Sequence, residues 1–290
     1  ELQKNKKVTM NKILLVILLL FPTIVFSQKE CEVTYISNEG FLIEIDGIKV
    51  MVDALFDEIK ENWCDSPSDS ITDLMKNSKP PFDNIDIIAI THKHVDHFNE
   101  SIVVQHMLSN QNGIVICPNQ VNAILAENPN YQKIKDRIIS ITPEPMSDSN
   151  IVVSNVSIKV LRLEHSGSMK KDPESGEMVN RHHDVENVGY LFSINGDKIF
   201  HCGDTNPLNE KEYNTFELYK EEIDIAFVER LFFTFYREKD LEMISKFLNP
   251  DNIIMHIRPE DKGAYFDYAY QKDGVYVFIN KMESINIEVQ

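Results

Sequence analysis

Residues 84–91, NIDIIAIT, form an unbroken aliphatic run of strand length that ends abruptly in HKHVDH, three histidines and an aspartate within six positions. A short isoleucine-rich run of this kind reads as a buried strand. The segment that follows, NESIVVQHMLSN, has helical spacing, with Asn99 or Ser101 placed to cap it. A strand therefore delivers a polar cluster to its end, and a helix carries the chain away. The order recurs in GIVICP then NQVNAILAEN, and in IDIAFVE then REKDLEMISKFL, before NIIMHI. Elsewhere CEVTYISNEGFLIEIDGIKVMVDAL alternates apolar with polar, and NIVVSNVSIKVLRLEH and VGYLFSINGDKIFHCGD read as strand pairs. Asp46-Gly47 and Asn195-Gly196 stand where tight hairpin turns belong. Strand-rich halves with interspersed helices predict an α+β fold, two mixed β-sheets packed face to face with helices outside, an αββα sandwich. No repeat of 20–50 residues and no low-complexity tract interrupts it.

Residues 10–27 read as a secretory leader: Lys12 supplies the positive end, Ile13 to Phe21 the apolar stretch, and Val25 with Ser27 the small residues before cleavage. The rival is an uncleaved membrane anchor, but the apolar run is shorter than the roughly 20 residues a bilayer span needs. The expected organisation is a leader over 1–27, with residues 1–9 preceding a start at Met10, and one domain over 28–290. Export to the periplasm or the exterior follows cleavage near Ser27, and membrane contact would come only through an uncleaved leader. The formal charge of −17 repels phosphate backbones and argues against nucleic acid as a partner. A small-molecule substrate is easier to reconcile, and a homo-oligomer stays compatible. Four cysteines are too few for a disulfide framework. Either Cys31 pairs with Cys64 or all four are buried thiols.

A divalent metal in a hydrolase needs neutral imidazoles and carboxylates converging on one point, with a coordination position left open. His92 and His94, two apart on extended backbone, project to the same side. Asp96 and His97 follow the turn and can reach a second position, and two metals about 3.5–4 Å apart are a recognised hydrolytic arrangement. Three later strand ends carry further donors: His165 in LRLEHSG, Asp204 in KIFHCGDTN and His256 in DNIIMHIRPE.

The motif His-x-His-x-Asp-His after a buried strand, with those three donors in order, resembles the metallo-β-lactamase superfamily. The blocks FLIEIDGIKVMVDAL, VGYLFSINGDKIFHCGDT and NPDNIIMHI are most similar to its small single-domain branch of ascorbate-phosphate lactonases and related phosphodiesterases. The resemblance spans residues 33 to 257. It implies that His92, His94 and His165 hold one metal, that Asp96, His97 and His256 hold the other, and that Asp204 bridges them. The metals would be zinc, with manganese or iron as alternatives. A metal-bridging hydroxide would attack a small ester, lactone or phosphodiester, with Asp96 and Asp204 as the catalytic carboxylates and Asp204 orienting the nucleophile. An iron-dependent sulfur or oxygen oxidoreductase on the same fold is the alternative, although such relatives usually carry a carboxylate where His94 stands. A non-catalytic binding protein would not need the full donor set.

One departure concerns substrate. Lactonase-like members continue after IDIAFVE with a Pro- and Gly-rich loop, whereas this chain reads RLFFTFYREKD, so sugar-phosphate specificity does not carry over. The aromatics Phe232, Phe233, Phe235 and Tyr236 would line a pocket or fill core. Arg230, Arg237 and Arg258 would grip an anionic group or solvate the surface. Residues 166–187 form a long unpatterned segment in which His182 and His183 would contact substrate or solvate a loop. His106 reads as surface or satisfied core, and His201 as packing rather than ligation.

Overall fold

The computed structural model describes residues 29–60, 64–236, 239–256 and 272–289. The leader, Arg237, Arg258 and the side chain of Phe235 lie outside what it describes. One sheet is built from β1 (Lys29–Ser37), β2 (Gly40–Ile45), β3 (Ile48–Val52), β4 (Ile87–Ala89), β5 (Ile114–Cys117), β6 (Ile138–Ser140) and β16 (Ser284–Val289). The other holds β7 (Asp148–Val153), β8 (Val156–Arg162), β11 (Val188–Ile194), β12 (Asp197–His201), β13 (Ile225–Phe227), β14 (Asn252–His256) and β15 (Val275–Phe278). The Asp46-Gly47 and Asn195-Gly196 turns are present, both residues of each at positive φ. Asn at such a position costs little and Gly nothing, so both hairpins close as the sequence predicts.

Both sheets are mixed, and their strand orders correspond one for one. The first runs β16-β1-β2-β3-β4-β5-β6 and the second β7-β8-β11-β12-β13-β14-β15. In each, three antiparallel contacts precede three parallel ones. The match extends to single bonds: Asp86 Oδ2 accepts from Lys49 N at 2.9 Å, and Asp224 Oδ2 accepts from Lys198 N at 2.6 Å. At the strand ends Asp53 Oδ1 accepts from Thr91 N, and its counterpart Cys202 Sγ accepts from Glu229 N. The two sheets thus repeat one arrangement, with β16 reaching the first sheet from the far end of the chain, and the repeat is too long and too diverged to register as a short sequence repeat.

Side-chain alternation sorts the core into layers. Phe41, Ile43 and Ile45 of β2 and Tyr190, Phe192 and Ile194 of β11 meet between the sheets, while Leu42 and Leu191 turn outward. Outside the first sheet lie α1 (Asp69–Lys76), α2 (Glu100–Ser109) and α3 (Asn119–Leu125), burying Met75, Ile102 and Val121. Outside the second lie α4 (Glu210–Phe216), α5 (Leu231–Tyr236) and α6 (Asp240–Phe247), burying Tyr213, Phe232 and Phe247. This is the expected αββα sandwich. Strands covered on both faces must be apolar on both, which explains why NIDIIAIT and IDIAFVE read as continuous runs rather than alternating ones.

Local details sharpen the sequence expectations. Asn99 caps α2, its side chain accepting from Ser101 N and Ile102 N. His106 is core, with Nδ1 2.6 Å from the Met75 carbonyl. All four cysteines are buried and unbridged. The segment expected to lack pattern contains a hairpin, β9 (Met169–Lys171) with β10 (Met178–Asn180), whose residues are largely exposed and so show no hydrophobic signature. Phe232 and Phe233 are core under the second sheet, and Tyr236 gives its hydroxyl to the Pro207 carbonyl at 2.6 Å.

Candidate metal centre

Loops leaving the ends of β3, β4, β8, β12, β13 and β14 converge on one place. At its heart His92 Nε2, His94 Nδ1 and His165 Nε2 stand 2.9, 3.1 and 3.3 Å apart. Two ligands bound to one zinc at about 2.0–2.1 Å in tetrahedral geometry are separated by about 3.3 Å, so the triangle has the dimensions of a coordination face. The protons confirm its sense. His165 Nδ1 donates to the Ser166 carbonyl at 2.8 Å, which leaves Nε2 as a lone pair. Thr91 Oγ1 donates to Asp53 Oδ2 and therefore accepts from His92 Nδ1 at 3.0 Å, which leaves that Nε2 as a lone pair too. Two lone pairs facing each other at 3.3 Å repel unless a cation lies between them. The residues fit a divalent metal.

The second set is built around His97. Its Nδ1 donates to Asp53 Oδ2 at 2.8 Å, and its buried Nε2 makes no hydrogen bond. That nitrogen lies 3.3 Å from Asp204 Oδ1 and 3.6 Å from Asp96 Oδ2 without hydrogen-bond alignment. Asp204 also reaches the first set, with Oδ2 3.6 Å from His165 Nε2, so one carboxylate spans both. Asp96 is held by Asn38 Nδ2 at 3.1 Å. His256 stands outside both close donor groupings, its ring stacked on Tyr35 with 5.7 Å between centroids and its buried Nδ1 without a hydrogen bond.

Asp53 groups with His92 and His97 by distance, but its oxygens already accept from Thr91 N, Thr91 Oγ1 and His97 Nδ1. It acts from behind, fixing the proton positions of two ligands. Gly203 makes room for this layer. Its φ is +57°, and a Cβ there would meet Asn187 Oδ1 and Thr91 Cβ at 2.8 Å. His201 Nδ1 accepts from Gly203 N, and its Nε2 donates to the Glu39 carbonyl, so His201 packs and braces the Asp204 loop rather than ligating.

Charge follows position. Burial lowers His92 and His165, and lowers His94 and His256 to about 3, so these imidazoles are neutral, the form that ligates. Burial works against a charge on His97 as well, but Asp204, Asp96 and Asp53 outweigh it and raise it well above normal. A proton and a metal compete for that spot. Burial likewise opposes the Asp204 charge, yet His97 and the other imidazoles hold it well below the usual carboxylate range. Two more buried carboxylates, Glu39 and Glu229, are pushed up by burial and by Asp204.

The centre opens into a cavity of about 680 Å³ whose wall includes Val95, Ser168, Arg181, His182, Glu229 and Arg230. His182 overhangs the first set, with its ring centroid 4.4 Å from that of His165 and 4.8 Å from that of His94. His183 turns outward and pairs with Asp184 at 2.9 Å. Sequence reasoning missed Asp53, Asn38, Glu39 and Glu229. Asp53 carried a signal, an acid directly ending the strand-like run IKVMV, and Glu39 carried another, an acid in a tight turn between two core strands.

The chain is similar to several known proteins. A protein described as a UPF0173 metal-dependent hydrolase from Methanosarcina mazei is 26% identical over 195 residues, 67% of this chain and 69% of that one. Among solved structures, the isothiocyanate hydrolase from Delia radicum gut bacteria superposes with a TM-score of 0.57 at 15% identity, over 89% of this chain and all of that one. A diiron β-hydroxylase from Streptomyces venezuelae shares the fold with a TM-score of 0.53 at 14% identity, over 90% of this chain and 54% of that one. The model of the beta-lactamase superfamily domain matches residues 49–272, and the chain belongs to that family, with the metallo-β-lactamase fold.

Proposed function

We propose that this protein is a metal-dependent hydrolase with a two-metal centre, exported from the cell, acting on a small ester, lactone or phosphodiester. The observation that carries the reading is Asp204, whose two oxygens face His97 Nε2 at 3.3 Å and His165 Nε2 at 3.6 Å, joining two donor sets. His92, His94 and His165 would hold one divalent cation, and Asp96, His97 and His256 the other. When bound, such cations lower the pKa of water from 15.7 toward about 7 and polarise a scissile oxygen.

The chain's own residues would do the rest. Asp204, fully ionised, accepts a hydrogen bond from the nucleophile and orients it. His182 sits beside the first set at the cavity wall, where it can donate to the oxygen that gains charge in the transition state. Arg230 and Arg181 flank the same cavity and would draw in a substrate with an anionic group despite the acidic surface. Val95 and Leu231 give it apolar wall.

Metal analysis of purified protein, with turnover of nitrophenyl esters, lactones and bis-nitrophenyl phosphate, tests the reading. Two equivalents of metal and chelator-sensitive turnover of at least one class are expected. A metal-free protein, or one inert on all three when metal-loaded, would sink it. The oxidoreductase alternative would show as bound iron and oxygen uptake with a sulfur substrate. Its weakness is the first donor set, which is three imidazoles with no carboxylate of its own.

A further inference from the structure

Glu39 is a carboxylate where none is easily accommodated. It is 4% exposed, in the turn between β1 and β2, strands whose Tyr35 and Phe41 rings pack on each other. Burying an unpartnered charge is strongly unfavourable, so a buried acid calls for a basic partner or a proton. Among the described residues, the basic group within ion-pair distance of it is His256, whose Nδ1 lies 3.5 Å from Glu39 Oε1. That nitrogen is itself buried and lacks a hydrogen bond. An unpaired imidazole nitrogen and a carboxyl oxygen therefore face each other at a separation slightly too long for a bond.

The backbone aims Glu39 there. Asn38 adopts a left-handed φ of +49°. Gly40 lets the turn nest against the neighbouring chain, since a Cβ would meet Ser37 O at 2.8 Å and both Ala54 Cα and Asp53 O at 2.9 Å. The Glu39 carbonyl accepts from His201 Nε2 at 3.1 Å, which ties the turn to the second sheet. The same turn sends Asn38 onto Asp96. Its two side chains thus reach two members of the second donor set.

We propose that Glu39 is the positioning carboxylate of His256, accepting from its Nδ1–H and leaving Nε2 to a cation, as Asp53 does for His97. The proposal rests on the two-metal reading above. It makes the two positions different in kind. In the first, His92 is backed by a hydroxyl and His165 by a peptide carbonyl. In the second, both histidines have an acidic side chain behind Nδ1, Asp53 behind His97 and Glu39 behind His256.

The test is stepwise zinc binding by the metal-stripped full chain, measured by competition with a chromophoric chelator. Wild type, Glu39→Gln, Glu39→Ala and His256→Ala are compared, together with the double variant of Glu39 and His256. Glu39→Ala should weaken one of the two binding steps 10- to 100-fold and leave the other within about twofold. Glu39→Gln should fall between, because its amide oxygen still accepts from Nδ1–H. In the His256→Ala background, Glu39→Ala should have no further effect on binding, a non-additivity that a general packing role would not produce. Equal weakening of both steps, additive effects, or no effect would overturn the role of Glu39. Should Glu39→Ala fail to fold, Glu39→Gln and Glu39→Asp carry the same comparison. A wild-type stoichiometry below two overturns instead the two-metal reading on which the proposal stands.

Discussion

Replacing Asp53 by Asn changes one oxygen to nitrogen at a buried site, and its effect can be followed proton by proton. Wild-type Oδ1 accepts from Thr91 N at 2.8 Å, while Oδ2 accepts from Thr91 Oγ1 at 2.5 Å and from His97 Nδ1 at 2.8 Å. If the amide oxygen keeps the backbone bond, the new NH2 faces Thr91 Oγ1 and His97 Nδ1. His97 must then accept at Nδ1 and carry its proton on Nε2, where a metal should bind. Thr91, no longer donating to Asp53, would donate to His92 Nδ1 and move that proton to Nε2 as well. One isosteric change therefore blocks a ligand in each donor set. The reversed amide spares both tautomers but points NH2 at the Thr91 N–H, leaving a buried backbone donor unsatisfied at a cost of about 1–3 kcal/mol. The expected result is a 10- to 100-fold loss of metal affinity, about 1.4–2.7 kcal/mol, with the fold retained. Chelator competition reads the affinity, and ¹³C shifts of the imidazole rings read the tautomers. Wild-type affinity together with wild-type Tm in Asp53→Asn would refute the relay.

Metal-stripped protein should lose stability in acid. His94 and His256 are lowered to about 3 in the folded chain against 6.5 for the free imidazole, so the stability they carry is full above pH 6.5 and is lost as pH falls toward 3. For buried His256 this is about 2 kcal/mol between pH 6.5 and 5, and less for the half-buried His94. His97, raised, works in the opposite direction, its contribution full below pH 6.5 and lost as pH rises through its folded value. Glu39 and Glu229, raised by burial, gain stability as pH falls and oppose this, so the histidine contribution is read by comparison: the drop in Tm from pH 7 to 5 should be smaller in His256→Ala than in wild type, and equal drops would count against a neutral buried imidazole. Gly203→Ala forces a Cβ against Thr91 and Asn187 and should cost about 1–3 kcal/mol, with weakened metal retention seen by metal analysis. Tyr236→Phe removes only the bond to Pro207 and should cost about 0.5–1.5 kcal/mol with KM unchanged; a raised KM would instead make Tyr236 a substrate contact.

The residues that a metal would touch were readable because they break a pattern. A histidine or aspartate ending an aliphatic run is conspicuous, and HKHVDH, His165, Asp204 and His256 all end such runs. The sandwich was readable for the same reason, since buried strands leave period and composition behind. What supports the ligands was not readable. Asp53 and His97 are 44 positions apart, and Glu39 and His256 are far more distant in the chain, meeting only because both sheets close on one edge. A single acid in a turn or at a strand end has a solvated explanation at least as good as a buried one. The β9–β10 hairpin escaped detection because its side chains face solvent and need no alternation. RLFFTFY could be read either way, and geometry resolves Phe232 and Phe233 toward the helix layer.

The correspondence between the two sheets also bears on how the cavity is lined. In the first copy of the unit, the loop after its fifth strand, β4, is HKHVDH, which carries candidate metal donors. In the second copy, the segment in the same place, ERLFFTFY, passes into α5 after two residues, carries no histidine and contributes Glu229, Arg230 and Leu231 to the cavity wall. Each loop hangs on its own hydrogen-bonded frame, an acid beneath Thr91 in one copy and the Cys202 thiol beneath Glu229 in the other. Both segments line the same cavity, one with His94, Val95 and Asp96 and the other with Glu229, Arg230 and Leu231, so equivalent places in the two copies present donor side chains on one side and an acid, a base and an aliphatic wall on the other.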